Sequence, residues 1–137
     1  MTDKTIHLKI IAHENTVLES DVNELYVKTT GGRMGIMAGH IPVVCALDIG
    51  VAKTKTASET RQISVMGGIL KFSDNNAVIL TDNAELDCNI DVARARHARQ
   101  RAEARLKAKD DNIDTVRAQV ALSKAIARIN AHENKYD

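Results

Sequence analysis

"ELDCNIDVARARHARQRAEARL", residues 85–106, is where the chain changes character. Before it, apolar side chains recur at every second position. From Ile90 on, β-branched residues give way to alanine, arginine, glutamine and glutamate, which enter a helix at little entropic cost. Asp87 or Asn89 stands where a side-chain oxygen can accept from the orphan amides of a first turn. That predicts a helix from about Ile90 to Ala108.

Upstream, "TIHLKIIA" (5–12) sets Ile6, Leu8 and Ile10 on one face and His7 and Lys9 on the other, the period of a half-buried strand. "VNELYVKT", "PVVCALDIG", "VAKTKTAS", "RQISVMGG", "ILKFS" and "AVILTD" read the same way, separated by punctuation such as Gly31-Gly32, Gly67-Gly68 and Asp74-Asn75-Asn76. One of Gly67 and Gly68 is expected to need positive φ or a close strand approach. The fold class that follows is a mainly β N-terminal sandwich or flattened barrel of about eight to ten strands, followed by helices.

Downstream, "KDDN" (109–112) breaks the helical pattern, and Asn112 or Asp114 can cap a second helix running to about Ala131. So short a link predicts an antiparallel helical hairpin, dividing the chain into a β domain over 1–87 and a two-helix unit over 88–137. Ala95, Ala98, Ala102 and Leu106 form one seam stripe and Ala118, Leu122, Ala125 and Ile129 its counterpart. The seam is thin. Residues 91–131 hold eleven alanines, each burying one methyl worth roughly 0.8 kcal/mol against ~1.5–3 kcal/mol for a Leu or Ile. Ten basic groups face five acidic ones over the same span, so a few kcal/mol should open the hairpin.

With aromatics at 2%, the core has to be built from aliphatic residues. The net charge of +1 hides an asymmetry: residues 1–90 carry 8 basic and 11 acidic groups, and 91–137 carry 11 and 7, so the tail suits acidic partners. No apolar run approaches the ~20 residues of a membrane span, and no signal-peptide core opens the chain, so membrane association is expected only through another protein. Cys45 and Cys88 lie outside any CxxC pattern and read as reduced thiols, while His7, His13, His97 and His132 lack metal-ligand spacing. Phosphate-loop, GxSxG, HExxH and GxGxxG signatures are absent, so no catalytic residue, metal or required cofactor is expected.

If the helices pair, Arg94, Arg101, Lys124 and Arg128 can converge as phosphate-binding donors, with Asp91 accepting from a hydroxyl or amino group. A ligand held this way binds only the closed form and stabilises it. The rival reading is a charged face that merely meets water.

"GGRMGIMAGHIPVV" (31–44), "MGGILKFSDNNAVILTDNAE" (66–85) and "IDVARARHARQRAEARL" (90–106), in that order, resemble the epsilon subunits of bacterial F-type ATP synthases over nearly the whole chain. The resemblance implies a noncatalytic rotor subunit at the cytoplasmic face of the plasma membrane. Its sandwich docks on the gamma subunit and the c-subunit ring. Its hairpin folds back or extends along gamma to meet the catalytic beta and alpha subunits, restraining ATP hydrolysis while ion flow is coupled to synthesis. The basic residues implied in that restraint are Arg94, Arg96, Arg99, Arg101, Arg105, Arg117, Lys124 and Arg128. The ring-facing loop maps onto Arg33, Gly35, Gly39 and His40, with Arg33 where relatives often carry an acid and Ala38 where they often carry proline. In relatives that bind ATP as an effector, the motif maps onto Ile90, Asp91, Arg94 and Ala95, helped by Glu85, Arg101, Lys124 and Arg128. Lys124 stands where such relatives often carry arginine, which keeps the charge but loses the bidentate fork and implies weaker binding.

A different class of function, a small β-barrel gripping nucleic acid with a basic helical arm, fits the tail. It is opposed by the acidic β part and by the scarcity of aromatics for base stacking.

Overall fold

The computed structural model describes residues 4–108 and 114–134. The "KDDN" turn, Asn112 and the Asp110-Asp111 pair lie outside the described residues. Eight strands come first: β1 (Ile6–Ala12), β2 (Asn15–Val22), β3 (Glu24–Thr29), β4 (Gly32–Met37), β5 (Val43–Lys55), β6 (Thr60–Ser73), β7 (Asn76–Thr81) and β8 (Ala84–Leu86). A 3-10 turn at Asp87–Asn89 leads into α1 (Val92–Lys107) and α2 (Thr115–His132). The sheet runs β2-β1-β7-β6-β5-β3-β4, with β8 beside β6.

The strand count is eight, the low end of the eight to ten that the sequence suggests. "PVVCALDIG" and "VAKTKTAS" fuse into β5, and "RQISVMGG" and "ILKFS" fuse into β6. The two long strands pair in one constant antiparallel register from Val43↔Phe72 to Lys55↔Thr60, interrupted where Asp48 would face Gly67. The Gly67-Gly68 pair therefore bends β6 instead of ending it. Both glycines have positive φ, +78° and +116°, and β6 changes partner there: Ile63–Val65 pair with β8 and Ile69–Ser73 with β7. A Cβ on Gly68 would strike the carbonyl oxygen of Leu80 and the Cα of Thr81, so only glycine lets β7 approach.

Folding the sheet at this bend brings Ile6, Leu8, Ile10, Leu70, Phe72 and Ile79 into one buried cluster with Leu25, Val27, Ile36, Ile63 and Val65. The β6–β7 hairpin closes through Asp74 and Asn75, both at positive φ, a two-residue turn whose hand matches the strand twist.

Expectation and structure also differ at the helix entry. Neither Asp87 nor Asn89 caps α1. Asp87 instead accepts from the backbone N–H of Cys88 (2.8 Å) and of Gln62 (3.4 Å). Asp91 is the cap, its Oδ1 accepting from the Arg94 N–H at 3.0 Å, so the helix starts at Val92. Asp114 caps α2 in the same way, accepting from the Arg117 N–H at 3.1 Å.

The layering decides where a site can form. α2 packs against β5 and β6, and α1 packs against α2. Of the expected stripes, Ala95 and Ala102 on α1 and Ala118, Ala125 and Ile129 on α2 are buried. Ala98, Leu106 and Leu122 are only half-buried. α2 also buries Ala127 and Ala131, and Ala131 closes a small apolar cluster with Val51 and Ile90. Among the described residues, no helix is long and apolar enough to cross a membrane.

Candidate functional site

Where β8, the start of α1 and the second half of α2 meet, a cleft of about 440 Å³ opens. Six of the eight residues named for nucleotide binding line it: Glu85, Asp91, Arg94, Ala95, Arg101 and Arg128. Asn83, Asn89 and Ala98, which the motif does not include, line it too. Their signal in the sequence was position: Asn83 and Asn89 flank β8 and the helix entry. Ile90 does not line the cleft and is instead buried against Val51 and Ala131. Lys124 does not line it either. It lies one turn before Arg128 on α2, towards the hairpin tip, and is half-buried.

The cleft combines three guanidinium groups with two carboxylates, and each carboxylate already has work within the fold. Arg128 Nε donates to Glu85 Oε1 at 2.7 Å, with 25% and 29% of the two side chains exposed, and so ties α2 to β8. Asp91 uses one oxygen as the α1 cap. Arg94 and Arg101 have no ion-pair partner among the described residues, and with the positive end of the α1 dipole they leave the cleft suited to an anion. Ala95 and Ala98 keep its floor shallow.

The other basic residues are spread around the hairpin. Arg96 and Arg99 border a second groove of about 520 Å³ on another side. Arg96 pairs there with Glu133 (3.4 Å) and Arg99 with Glu103 (2.7 Å). Arg105 and Arg117 are exposed. The eight cations do not form one patch while the helices are paired.

The loop residues divide likewise. Arg33 and Gly35 lie within β4, and the ring of Tyr26 crowds Gly35, within 3.0 Å of where a Cβ would stand. Gly39 and His40 lie in the turn after β4, with roughly 13 Å of strand between Arg33 and Met37. Gly39, at φ +86°, donates its N–H to Asn75 Oδ1 at 2.8 Å, tying this turn to the β6–β7 turn. His40 donates from Nδ1 to the Ile41 carbonyl at 2.7 Å and meets Phe72 edge-on.

Sequence periodicity passes over one further surface. Ala46↔Ile69, Ile69↔Leu80 and Leu80↔Ile11 are successive cross-strand partners over β5, β6, β7 and β1, and they form an apolar row on the sheet's outer side. Ile69 and Leu80 are 50% and 51% exposed, and Ile41 and Val44 are more so. The signal was available: at Ile10-Ile11, Ile69-Leu70 and Ile79-Leu80 two large apolar residues are adjacent in a strand, so one of each pair has to face outward. On the same half of the sheet, His7 makes hydrogen bonds to Asp21 and Glu19, both 2.8 Å, which hold its imidazolium above the ordinary value of 6.5. Burial pushes the Cys45 thiol up, away from the thiolate form.

Comparison with known proteins places the two parts in one family. Residues 5–87 match the family described as ATP synthase, Delta/Epsilon chain, beta-sandwich domain, and residues 89–133 match ATP synthase, Delta/Epsilon chain, long alpha-helix domain. The chain is 42% identical to the ATP synthase epsilon chain of Priestia megaterium over 108 residues, 79% of this chain and 81% of that one. It is 40% identical to that of Anoxybacillus flavithermus over 106 residues, 77% and 79% of the two chains. Its fold is similar to a chain in the cryo-EM structure of the Euglena gracilis mitochondrial ATP synthase, with a TM-score of 0.79, 22% identity, and 93% and 80% of the two chains covered.

Proposed function

The chain belongs to the ATP synthase delta/epsilon family, and from that premise we propose that it is a noncatalytic central-stalk subunit of an F-type ATP synthase whose hairpin, residues 88–137, is a nucleotide-sensitive brake on hydrolysis. The sandwich is the part that stays bound to the rotor. Its apolar row through Ile69 and Leu80 suits the gamma subunit, and the exposed loop around Ile41 suits the c ring. Both contacts hold the protein at the cytoplasmic face of the membrane without insertion. Released helices present Arg94, Arg96, Arg99, Arg101, Arg105, Arg117, Lys124 and Arg128 together to acidic surfaces of the catalytic beta and alpha subunits, which restrains hydrolysis while ion-driven rotation is coupled to synthesis.

The observation that carries the regulatory reading is that the cleft exists only while the hairpin is docked, because Glu85 comes from the sandwich, Arg94 and Arg101 from α1, and Arg128 from α2. A polyanion such as ATP, bound there as an effector, stabilises the docked form by about 2.7 kcal/mol at a hundred times its dissociation constant. The test is titration of the full chain with ATP while heat and amide exchange are followed. ATP should slow exchange in both helices, and Asp91→Ala with Arg94→Ala should abolish that protection. Equal protection in the double variant would remove these residues from the site.

A further inference from the structure

The sheet surface beneath α2 contains a misfit. Along β6, Ile63 and Val65 enter the sandwich core, so the intervening Gln62, Ser64 and Met66 point to its other side. That is the side on which Val51, the cross-strand partner of Ser64, meets Ile90 and Ala131. All three outward-pointing side chains are nonetheless buried, Gln62 to 4% exposure, because α2 and the turn before α1 lie over β6. Ser64 has an outlet, its Oγ donating to the Glu85 carbonyl at 3.5 Å. Gln62 Oε1 has none: among the described residues it is the one buried side-chain polar atom without a hydrogen-bond partner.

A buried acceptor left unpaired carries its full desolvation cost, and that cost ends when water reaches it. Water reaches Gln62 when the helices lift. The surrounding contact is built largely from small side chains, with Ala127 and Ala131 of α2 near Val51 and Ile90, and an open groove of about 220 Å³ runs beside it between α2 and β5 near Gly50.

We propose that Gln62 is a built-in bias towards release: its orphaned carbonyl penalises the docked hairpin and holds the docked and released forms close in free energy. This inference rests on the reading of the hairpin as a releasable brake.

The experiment compares amide exchange in the wild-type full chain with Gln62→Met and Gln62→Leu, which keep bulk and remove the acceptor. Both variants should slow exchange in α1 and α2 by on the order of tenfold and leave the strand amides of β1 and β7 unchanged. Helices that exchange at the wild-type rate or faster in both variants overturn the proposal, as they would if an ordered water already satisfied the carbonyl. Loss of strand protection in both variants overturns it too, because Gln62 would then belong to the sandwich's own stability. If the wild-type helices already exchange as slowly as the strands, the releasable brake itself fails, a result distinct from the other two.

Discussion

The sandwich core and the hairpin dock are two solutions to burial in one chain. In the core, sixteen buried residues drawn from all eight strands form one cluster whose largest members are Phe72 and several Ile and Leu. Under the hairpin the corresponding cluster is Val51, Ile90 and Ala131, helped by the Arg128–Glu85 pair and opposed by Gln62. At roughly 25 cal/mol per Å² of apolar surface, the first arrangement makes a domain and the second a contact that a ligand or partner can tip. Stability here follows side-chain size at each interface more than the amount of regular structure, since each helix has more residues than any strand.

The largest effect is expected in the sandwich. Gly68→Ala puts a Cβ into the backbone of β7 at a residue with φ +116°, so steric overlap and backbone strain act together. A loss of ~3 kcal/mol or more is expected, lowering the unfolding temperature of the whole chain in a circular-dichroism melt. Retention of the wild-type melting temperature would mean that the sheet bend does not depend on this close approach.

A smaller effect is expected at the hairpin dock. Arg128→Gln removes the half-buried tie to Glu85 and should ease hairpin release by about 1 kcal/mol, more at low salt than at high, because the pair is only partly screened. Limited proteolysis of the helices reads this directly. Arg105→Gln, on an exposed side chain, serves as the control and should leave the cleavage rate unchanged. Equal cleavage rates in all three proteins would assign the dock to packing alone.

How much of this was legible depends on how strongly each segment's pattern is tied to one environment. The change at Ile90 is visible because helix formers replace β-branched residues there, and Asp114 is readable as a cap because its side chain is needed there. β2 and β4 leave weak patterns for a shared reason: they are the two ends of the sheet path and bury little, as Asn15, Thr16, Gly32 and Arg33 show. The fused strands β5 and β6 are obscured by glycine, which in sequence reads as a turn and here makes a bend. In the cleft, Arg94 and Arg101 come together because residues seven apart share one face of a helix, and the cap Asp91 stands three residues before Arg94 on that side. Lys124 shows the limit of that reasoning, since whether a residue on a second helix reaches the cleft depends on how far the two helices have slid past one another.

The smallest expected effect belongs to His7, on the β1–β2 hairpin rather than under the helices. Cross-strand pairing with Asp21 and the neighbouring Glu19 place a carboxylate at each ring nitrogen, so the imidazole has to carry both protons to donate to both. Its folded pKa is therefore raised, chiefly by Asp21 and then by Glu19, while that of Glu19 is lowered, chiefly by His7. The signs follow from linkage. The histidine's contribution to stability is complete below 6.5 and is lost as pH rises through the raised folded value. The glutamate's contribution is complete above 4.5 and is lost as pH falls through its lowered value. The cluster thus supports the hairpin most between those limits and weakens on the alkaline side. His7→Gln should remove the decline in melting temperature just above 6.5, by a small amount because the group is exposed to solvent. It should leave helix amide exchange untouched, since α2 packs on β5 and β6. A pH profile parallel to the wild type would show that the two carboxylates do not hold the proton, and altered helix exchange would show that sandwich edge and hairpin are coupled through the sheet.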